Sequence, residues 1–366
     1  MTKRVRPDRH VDGVLVVGGG YAGLHAAKAV ADAGVAVTVL DPTGRHDFVT
    51  RLAAVAGRAE PSDDASRGLD SFGHAVLVAS AVGLGDGDVQ LDDGGRCSAD
   101  AVVFCAGAGA SQPDIDGIEH ALPLRTADHA LVIRARLDAD RPVTIIGGGA
   151  TGVQLAGAIS ASAAASVVRL VEIDSRLLST LRADTSAGAT RILRQRGVDV
   201  FLDASVDRIT TEGLVVDGEH LDGVTIWAGG FVPRTNGLDV ELDEAGQIVV
   251  DDCLRVAGMV RSFAAGDVAA HVDAAGKSLP MAAQIAVQAG EAAGANAARL
   301  VQGRDPRPAS LSHRGWVLDL SGHRGVAEFG DISLAGPFAD LIPPFLHEAI
   351  DLKTVFGLAG LLPFIP

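Results

Sequence analysis

The chain has 366 residues, 48% hydrophobic and 21% charged, so it has the composition of a globular protein and the length for two or three domains. Its formal net charge of −15 argues against nucleic acid as a partner, because contact with phosphates needs a basic surface. Its three cysteines, Cys97, Cys105 and Cys253, lack CxxC or CxxxxC spacing. They therefore argue against a redox dithiol and a zinc ribbon, and no metal site is expected.

A strand, a glycine loop, a helix and a second strand follow one another near the start of the chain. The apolar run Val14–Val17 is typical of a strand buried on both faces. The pattern GxGxxG follows in Gly18–Gly23, then a helix predicted over residues 24–33 and a strand predicted over 35–40. That strand ends at Asp41. This order predicts a βαβ unit that binds a dinucleotide.

Each glycine of this loop has its own task in such a unit. Gly18 permits the tight turn, Gly20 lets the backbone approach a pyrophosphate, and Gly23 lets the helix lie close to the strand. The helix N-terminus offers free N–H groups and a partial positive charge to the phosphates. Asp41 can accept hydrogen bonds from a ribose diol. The alternative is a glycine-rich turn without a ligand, which the surrounding order of elements disfavours.

The same order recurs near the middle of the chain. A strand is predicted over residues 143–146, followed by a second GxGxxG pattern in Gly147–Gly152. A small-residue helix is predicted over 153–163, and a strand over 167–171 that ends at Glu172. Two such units predict two dinucleotides, or one dinucleotide and a degenerate copy. Because the second unit keeps all three glycines and its acid, the first alternative is favoured.

Glu172 bears on which nicotinamide dinucleotide the second loop binds. Its carboxylate would accept a hydrogen bond from a 2′-hydroxyl and repel a 2′-phosphate, which favours NADH over NADPH. Arg169 and Arg176 are close in the sequence and could reverse that preference, because a guanidinium attracts the 2′-phosphate. NADH is therefore the prediction, with NADPH as the alternative.

Further strands of the same design end in small residues. One is predicted within residues 100–107 and ends in Ala-Gly, and a second within 224–230 ends in Ala-Gly-Gly. A third within 262–267 ends in Gly-Asp. A helix is predicted over 280–301, with Pro280 in the first helical position, where the missing N–H does no harm.

Together these features resemble the two-dinucleotide flavoproteins, which share the pyridine nucleotide-disulfide oxidoreductase fold, here without a redox dithiol. Three segments resemble type II NADH:quinone oxidoreductases more specifically. Residues 116–128 resemble that family's segment entering the nucleotide domain, 283–288 its AQxAxQ helix beside the flavin and the quinone entrance, and 315–327 its C-terminal region. Thr50–Leu52 and Gln154 depart from the family, which usually has a Pro-Leu pair and a glutamate there.

The resemblance implies an α/β fold with two Rossmann-like dinucleotide-binding domains. The FAD domain would comprise residues 12–110 and 236–302, split around an NAD(P)H domain of residues 111–235, with a C-terminal segment at 303–366. The implied function is an FAD-dependent NADH dehydrogenase that passes electrons to a quinone. The alternatives are an apoptosis-inducing-factor-like NAD(P)H oxidoreductase with another acceptor, and a low-turnover, NADH-responsive flavin-binding regulatory protein.

The predicted site residues come from the two glycine loops, the strand ends and the AQxAxQ helix. Those predicted to bind cofactors are Gly18, Gly20, Tyr21, Ala22, Gly23, Asp41, Ala106, Gly107, Gly266, Asp267, Ala283, Gly147, Gly149, Thr151, Gly152, Glu172 and Gly229. The predicted catalytic residues are Gln154, Gln284 and Gln288. The amides of Gln284 and Gln288 share one helix face and could donate to a quinone or the flavin, or merely bond backbone groups. Gln154 would lie near the nicotinamide, or be an ordinary first-turn residue.

The last part of the chain, residues 338–366, is strongly apolar and has Lys353 as its one firm cation. Core packing, a homodimer interface and peripheral membrane contact all suit this composition. Neither a secretory signal nor an apolar run of roughly 18 residues is visible. A cytoplasmic protein is therefore expected, with peripheral attachment to the inner face of the cell membrane as the alternative.

Overall fold

The computed structural model describes residues 8–336. The first of its two central sheets has five strands, all parallel. In spatial order these are Ser262–Ala264, Ala101–Phe104, Val14–Val17, Val37–Asp41 and Ala75–Val78. Val14–Val17 and Ala101–Phe104 are buried at every position, which explains their almost uninterrupted apolar sequence.

The second central sheet also has five parallel strands. In spatial order they are Leu122–Pro123, Val224–Trp227, Val143–Ile146, Val168–Val171 and Val198–Phe201. Because Ser262–Ala264 returns to pair with Ala101–Phe104, the first domain is split around the second. The predicted fold class, one Rossmann-like domain inserted into another, is confirmed, and the residue boundaries of the two domains stay predictions.

Six α-helices occur in the described part of the chain. They are α1 (Tyr21–Asp32), α2 (Leu52–Ala56), α3 (Ala127–Arg136), α4 (Ala150–Ser162), α5 (Ala183–Gln195) and α6 (Ala283–Val301). The helices of both βαβ units begin inside their glycine loops, at Tyr21 rather than residue 24 and at Ala150 rather than residue 153. The expectation for Pro280 is wrong, because the extended backbone of Ala282 delays the start of α6.

α1 and α6 pack with their backbones in contact, which attaches α6 to the first domain. A Cβ atom on Gly290 would lie 2.2 Å from the carbonyl oxygen of Ala22, and one on Gly294 would lie 2.3 Å from that of Ala26. Any larger residue at these two positions would force the helices apart. The helix that follows the first glycine loop is therefore held closely along its length.

Shorter elements complete the two domains. The first domain has a four-stranded sheet of Arg9–His10, Arg96–Ser98, Asp88–Leu91 and Ala81–Leu84. It also has a two-stranded sheet of Arg45–Asp47 and Ser66–Gly68. The second domain has an antiparallel sheet of Val206–Thr210, Gly213–Val216 and Glu219–Asp222. Short 3₁₀ helices cover Ser62–Ala65, Leu69–Phe72 and Ile118–His120.

Both connections between the domains run through one antiparallel pair of strands. Ala108–Ala110 leaves the first domain, and Phe231–Pro233 returns beside it. We call this pair the crossover ribbon. It directly follows Gly107 and Gly229–Gly230, so the chain crosses between domains next to two of the predicted small-residue strand ends.

The residues after α6 form an antiparallel sheet that covers the second domain. Its strands are Trp316–Asp319, Gly325–Phe329 and Ile332–Gly336. A Cβ atom on Gly157 of α4 would lie 2.5 Å from the carbonyl oxygen of Leu320. One on Gly188 of α5 would lie 2.6 Å from the Cβ of Ala335. The C-terminal sheet is thus packed tightly on α4 and α5.

The predicted alternatives for the apolar tail cannot be compared with the structure, because residues 338–366 lie outside the described residues. Core packing, a dimer interface and membrane contact therefore stay predictions for that segment. Within residues 8–336, no helix has the length and apolar character needed to span a membrane.

Candidate active site

One cavity of about 1120 Å³ lies where the two domains and the C-terminal sheet meet. Of the predicted residues, those that line it are Gly20, Tyr21, Ala22, Gly107, Gly147, Gly149, Thr151, Gln154, Glu172, Gly229, Gly266, Asp267, Ala283, Gln284 and Gln288. The remaining predicted residues, which do not line it, are Gly18, Gly23, Asp41, Ala106 and Gly152. Both glycine loops therefore open into the same space, together with the N-terminal part of α6.

The first glycine loop has the geometry expected for each of its glycines. Gly18 has a φ of +99°, in the region that side chains disfavour. A Cβ on Gly23 would lie 1.8 Å from the carbonyl oxygen of Gly18, so only glycine lets α1 begin this close to the strand. Nothing lies within 4 Å of the place that a Cβ on Gly20 would take, so the loop presents bare backbone to the cavity.

Asp41 is used to hold the loops around it. Its Oδ2 accepts a hydrogen bond from the backbone N–H of Gly19 at 2.9 Å. Its Oδ1 accepts from the backbone N–H groups of Thr43 and Gly44, at 2.8 and 3.0 Å. The carboxylate is buried, and its hydrogen bonds hold the glycine loop in place. Its contact with a ribose stays a prediction.

His46 does not line the cavity but holds the first glycine loop, a role that the sequence did not reveal. Its Nδ1 donates to the carbonyl oxygen of Gly19 at 2.8 Å. Its ring packs edge-on against Tyr21, Phe48 and Phe72. Burial lowers the pKa of His46 to about 4, so the imidazole is neutral at pH 7. A single histidine in a short strand has no spacing that could have indicated this role.

The second glycine loop repeats the backbone geometry of the first. Gly147 has a φ of +108°, and a Cβ on Gly152 would lie 1.9 Å from the carbonyl oxygen of Gly147. Around the Cβ position of Gly149 the space is open to 4 Å. Glu172 accepts a hydrogen bond from the backbone N–H of Gly148, as Asp41 does from Gly19. Unlike Asp41, however, Glu172 lines the cavity.

The two arginines that could have favoured NADPH are occupied elsewhere. Arg169 donates to the carbonyl oxygen of Asp222 at 2.8 Å, in a different part of the second domain. Arg176 donates to the carbonyl oxygens of Ser179 and Leu181, at 2.5 and 2.7 Å, and so holds its own loop. Neither lines the cavity, which leaves Glu172 as the charged residue at the end of its strand.

The turn at Gly266–Asp267 is fixed by three side chains. Arg125 donates from Nη2 to Oδ2 of Asp267 at 2.6 Å. The Nε2 of His271 accepts from the backbone N–H of Gly266 at 3.1 Å, and the Nε2 of Gln247 donates to the carbonyl oxygen of Asp267 at 3.0 Å. Burial lowers the pKa of His271 to about 4, which keeps Nε2 free to accept. The sequence predicted the turn but none of its three partners.

The amides of Gln284 and Gln288 bond the chain that follows α6. The side chain of Gln284 accepts from the N–H of Arg314 at 3.0 Å and donates to the carbonyl oxygen of Gly315 at 2.8 Å. Gln288 accepts from the N–H of Ser312 and donates back to its carbonyl oxygen, at 3.1 and 3.0 Å. Nε2 of Gln288 also donates to the carbonyl oxygen of Gln284, which uses both of its hydrogens. The backbone-bonding alternative therefore describes Gln288, whereas Gln284 keeps one amide hydrogen.

The two departures from the resembled family both line the cavity. Gln154 lies in the second turn of α4 and is partly exposed, and its side chain makes no hydrogen bond with a described residue. Thr50 shares a hydrogen bond of 3.0 Å with the hydroxyl of Tyr21 in the first loop. These positions thus face the space shared by the two loops.

All three thiols are free and buried. Cys105 lines the cavity, and its burial raises its pKa to about 12, so it stays a protonated and weakly reactive thiol. Burial also raises the pKa values of Cys97 and Cys253. The prediction that no dithiol takes part agrees with these surroundings.

The backbone N–H groups at the cavity wall suit the phosphates of two dinucleotides. α1 and α4 both begin at its wall, and neither helix has a side chain that caps its N-terminal N–H groups. Such free N–H groups and the helix dipole favour phosphate. Two uncapped helix ends next to two bare glycine loops therefore fit two pyrophosphates.

Residues 12–290, which include both glycine loops and the first part of α6, match the family model described as pyridine nucleotide-disulphide oxidoreductase. The chain belongs to this family. Membership accounts for the two βαβ units that share one cavity. In this oxidoreductase the family's disulphide chemistry has no paired cysteines to act through.

Two curated relatives of this pyridine nucleotide-disulphide oxidoreductase are similar over nearly the whole chain. The type II NADH:quinone oxidoreductase Ndh of Mycobacterium tuberculosis is 26% identical, with 95% of this chain and 86% of the relative covered. The type II NADH:quinone oxidoreductase of Staphylococcus aureus is 25% identical, with 95% and 96% covered. The predicted resemblance and the assignment as an oxidoreductase are confirmed.

Two solved structures share the fold. That of NDH2 from Plasmodium falciparum in complex with NADH has a TM-score of 0.76 at 14% identity and covers 96% of this chain and 99% of that one. The water-forming NADH oxidase from Lactobacillus brevis bound to NADH has a TM-score of 0.72 at 24% identity, with 86% and 74% covered. At these identities the likeness establishes the architecture of the oxidoreductase.

Proposed function

We propose that this oxidoreductase is an FAD-dependent NADH dehydrogenase that passes electrons to a quinone-like acceptor. The observation that supports it most directly is that both glycine loops open into one cavity, so two dinucleotides can meet there. The names of the two curated relatives agree, since both are type II NADH:quinone oxidoreductases. We further propose residues 12–110 with 236–302 as the FAD domain and 111–235 as the NADH domain.

The first loop is the proposed site of FAD. Its backbone around Gly20 and the start of α1 would bind the pyrophosphate, with Gly266–Asp267 beside Ala22 for the polar chain between pyrophosphate and flavin. When bound, FAD supplies the redox chemistry, because it accepts a hydride from NADH and passes electrons on. The protein supplies position and a cavity wall that is mostly apolar.

The second loop is the proposed site of NADH. Gly149 and the start of α4 would bind its pyrophosphate, and Glu172 would accept a hydrogen bond from the adenosine 2′-hydroxyl. The engagement of Arg169 and Arg176 with backbone carbonyls removes the groups that would attract a 2′-phosphate. NADH is therefore proposed over NADPH.

The acceptor is proposed to approach along the N-terminal part of α6. Gln284 has one amide hydrogen left for a quinone carbonyl, and Met281 and Trp316 line the same wall. Gln288 is proposed to serve by holding residue 312, just before the part of the chain that lines that wall. Peripheral contact with a membrane, which would bring a lipid-soluble quinone within reach, is proposed for the tail beyond residue 337.

The test is a spectrum of the purified protein before and after NADH, followed by NADH oxidation with and without an added quinone. We expect a flavin spectrum that bleaches within seconds and turnover that depends on quinone. Bleaching without quinone-dependent turnover, but with turnover on another acceptor, would support the apoptosis-inducing-factor-like alternative. Bleaching without turnover on any acceptor would support a regulatory flavoprotein, and protein that never takes up FAD would contradict the proposal.

A further inference from the structure

Arg125 reaches from the inserted domain into the wall of the first domain. It follows the strand Leu122–Pro123 and precedes Thr126, whose side chain caps α3 by accepting from the N–H of His129 at 3.2 Å. The backbone of Arg125 is thus anchored on both sides within the second domain. Its side chain is 15% exposed and lines the cavity.

The guanidinium of Arg125 makes three contacts in two places. Nη2 donates to Oδ2 of Asp267 at 2.6 Å, in the first domain. Nε donates to the carbonyl oxygen of Ala108 at 3.1 Å, and the Cζ atom lies 4.5 Å from the ring centre of Phe231. Ala108 and Phe231 belong to the two different strands of the crossover ribbon. One rigid group therefore touches both connections between the domains and Asp267 in the cavity wall.

These contacts need the shape of arginine as well as its charge. The planar guanidinium can donate from its edge in two directions while its face lies on an aromatic ring. A lysine ammonium could pair with Asp267, but it could not also reach the Ala108 carbonyl and stack on Phe231. The other two side chains that hold the Gly266–Asp267 turn, His271 and Gln247, come from the first domain itself.

We propose that Arg125 is a positioning residue that joins the crossover ribbon to Asp267, so that the two dinucleotide sites keep one fixed relation. This inference rests on the proposed function, since it concerns the transfer between the two sites. The transfer needs donor and acceptor atoms in near contact, and a displacement of about 1 Å can cost on the order of 100-fold in rate. The positive charge also offsets Asp267, which favours addition of electrons to a group bound in the cavity.

The test compares Arg125→Lys and Arg125→Gln with a matched control, Arg134→Gln. Arg134 also crosses between domains, donating to the carbonyl oxygens of Val55 and Glu60 at 2.9 Å each, but it does not line the cavity. Both Arg125 variants should show faster amide hydrogen exchange in the crossover ribbon, with or without FAD. The control should leave exchange in the ribbon unchanged.

The flavin-loaded protein gives two further readouts. In both Arg125 variants the rate of flavin reduction at saturating NADH should fall at least about tenfold, while the NADH dissociation constant changes less than about threefold. The flavin midpoint potential should fall in Arg125→Gln and stay near the wild-type value in Arg125→Lys, which keeps the charge. Loss of position and loss of charge are thereby separated.

The proposal fails if Arg125→Gln exchanges its ribbon amides and reduces its flavin as the wild type does. It also fails if its rate falls only as much as that of Arg134→Gln. Should Arg125→Gln not fold, the exchange and reduction rates of Arg125→Lys decide alone. A wild-type flavin that NADH does not reduce would contradict the proposed function, and the exchange measurement would still decide the role of Arg125 in the ribbon.

Discussion

The two glycine loops share their backbone geometry and differ in what surrounds the acid that follows each. Asp41 is buried, accepts hydrogen bonds from three backbone N–H groups and lies behind the cavity wall. Glu172 lies in the wall and is followed by Ile173, which is 72% exposed. His46 donates a hydrogen bond to the carbonyl oxygen of Gly19 in the first loop, whereas within residues 8–336 no histidine side chain is hydrogen-bonded to the second loop.

This difference suits two ligands that are handled differently. A loop whose acid, histidine and helix are fixed by buried contacts loses little conformational freedom when it binds, which favours a tightly held group. A loop whose acid borders open space allows entry and exit, as a substrate requires. The surroundings of the first loop thus suit the proposed, permanently bound FAD, and those of the second loop suit the proposed, exchanging NADH.

The largest effect is expected from alanine at the third glycine of each loop. A Cβ at Gly23 or Gly152 would lie within 2 Å of a carbonyl oxygen of its own loop, so the loop must move. Gly23→Ala should be purified without flavin, whereas Gly152→Ala should stay yellow and bind NADH at least about 100-fold more weakly. Absorbance spectra and NADH titration measure both, with circular dichroism as the check on folding. Retention of FAD by Gly23→Ala would contradict the assignment.

Acid should weaken the first domain through His46 and His271. Their folded pKa values are about 4, and an unfolded histidine has a pKa of about 6.5. Below pH 6.5 the unfolded chain binds protons that the folded chain does not, so this stability is complete above pH 6.5 and lost as the pH falls toward 4. Each histidine should account for on the order of 3 kcal/mol across that range.

The measurement is the free energy of unfolding in urea at several pH values between 7.5 and 4.5. His46→Asn should flatten this dependence, because asparagine can still donate to Gly19 but does not titrate. Flavin release should follow the same pH range. An unchanged pH dependence in His46→Asn would show that the imidazole does not report on the loop.

Replacing Glu172 should change the second loop and leave the first unaffected. Glu172→Ala removes the proposed acceptor for the 2′-hydroxyl, so kcat/KM for NADH should fall roughly tenfold or more. The loss of one hydrogen bond to a charged group, of about 1.5–3 kcal/mol, accounts for this fall. The value for NADPH should stay constant or rise. Flavin content is the control. A wild-type preference for NADPH would show that another cation governs this site.

The smallest effect is expected from Gln154→Glu. If Gln154 faces the nicotinamide, the added carboxylate should hold the oxidised, positively charged ring and strengthen the long-wavelength absorbance of the reduced flavin–NAD complex. Release of NAD should slow by a few-fold, on the order of 1 kcal/mol or less. Identical spectra, NAD affinity and turnover would show that the residue is only part of the α4 surface.

The sequence revealed the parts of the site that are local and periodic. Both βαβ units and the Gly266–Asp267 turn follow from strand patterns and glycine spacing, whereas the split of the first sheet follows from the family resemblance. The sequence pattern predicts the starts of α1 and α4 too late, because glycine and small residues hide a first helical turn that the loop fixes. At Pro280 the predicted start of α6 is too early, because a proline suits the first position of a helix but does not create a helix there.

The contacts that fix the site join residues far apart in the chain, and no sequence pattern predicts them. Arg125 meets Asp267 only once the two domains have folded together, whereas His46 meets Gly19 within the first domain and Gln284 meets residues 314–315 of the following chain. For Gln284 and Gln288, the sequence pattern left a redox role and backbone hydrogen bonding as alternatives. The structure shows which backbone groups their amides bond. Such partners are set by tertiary packing, so they required coordinates.

The crossover ribbon makes the inserted domain a module with adjacent ends. Its entry and exit strands are hydrogen-bonded neighbours, which places them about 5 Å apart. A piece of chain whose ends meet can be lengthened, exchanged or replaced by another domain with little cost in loop closure to its host. If the inserted domain binds the electron donor as proposed, the same architecture can therefore acquire a different donor by substitution of one contiguous stretch of gene, while the proposed flavin-binding half is inherited intact.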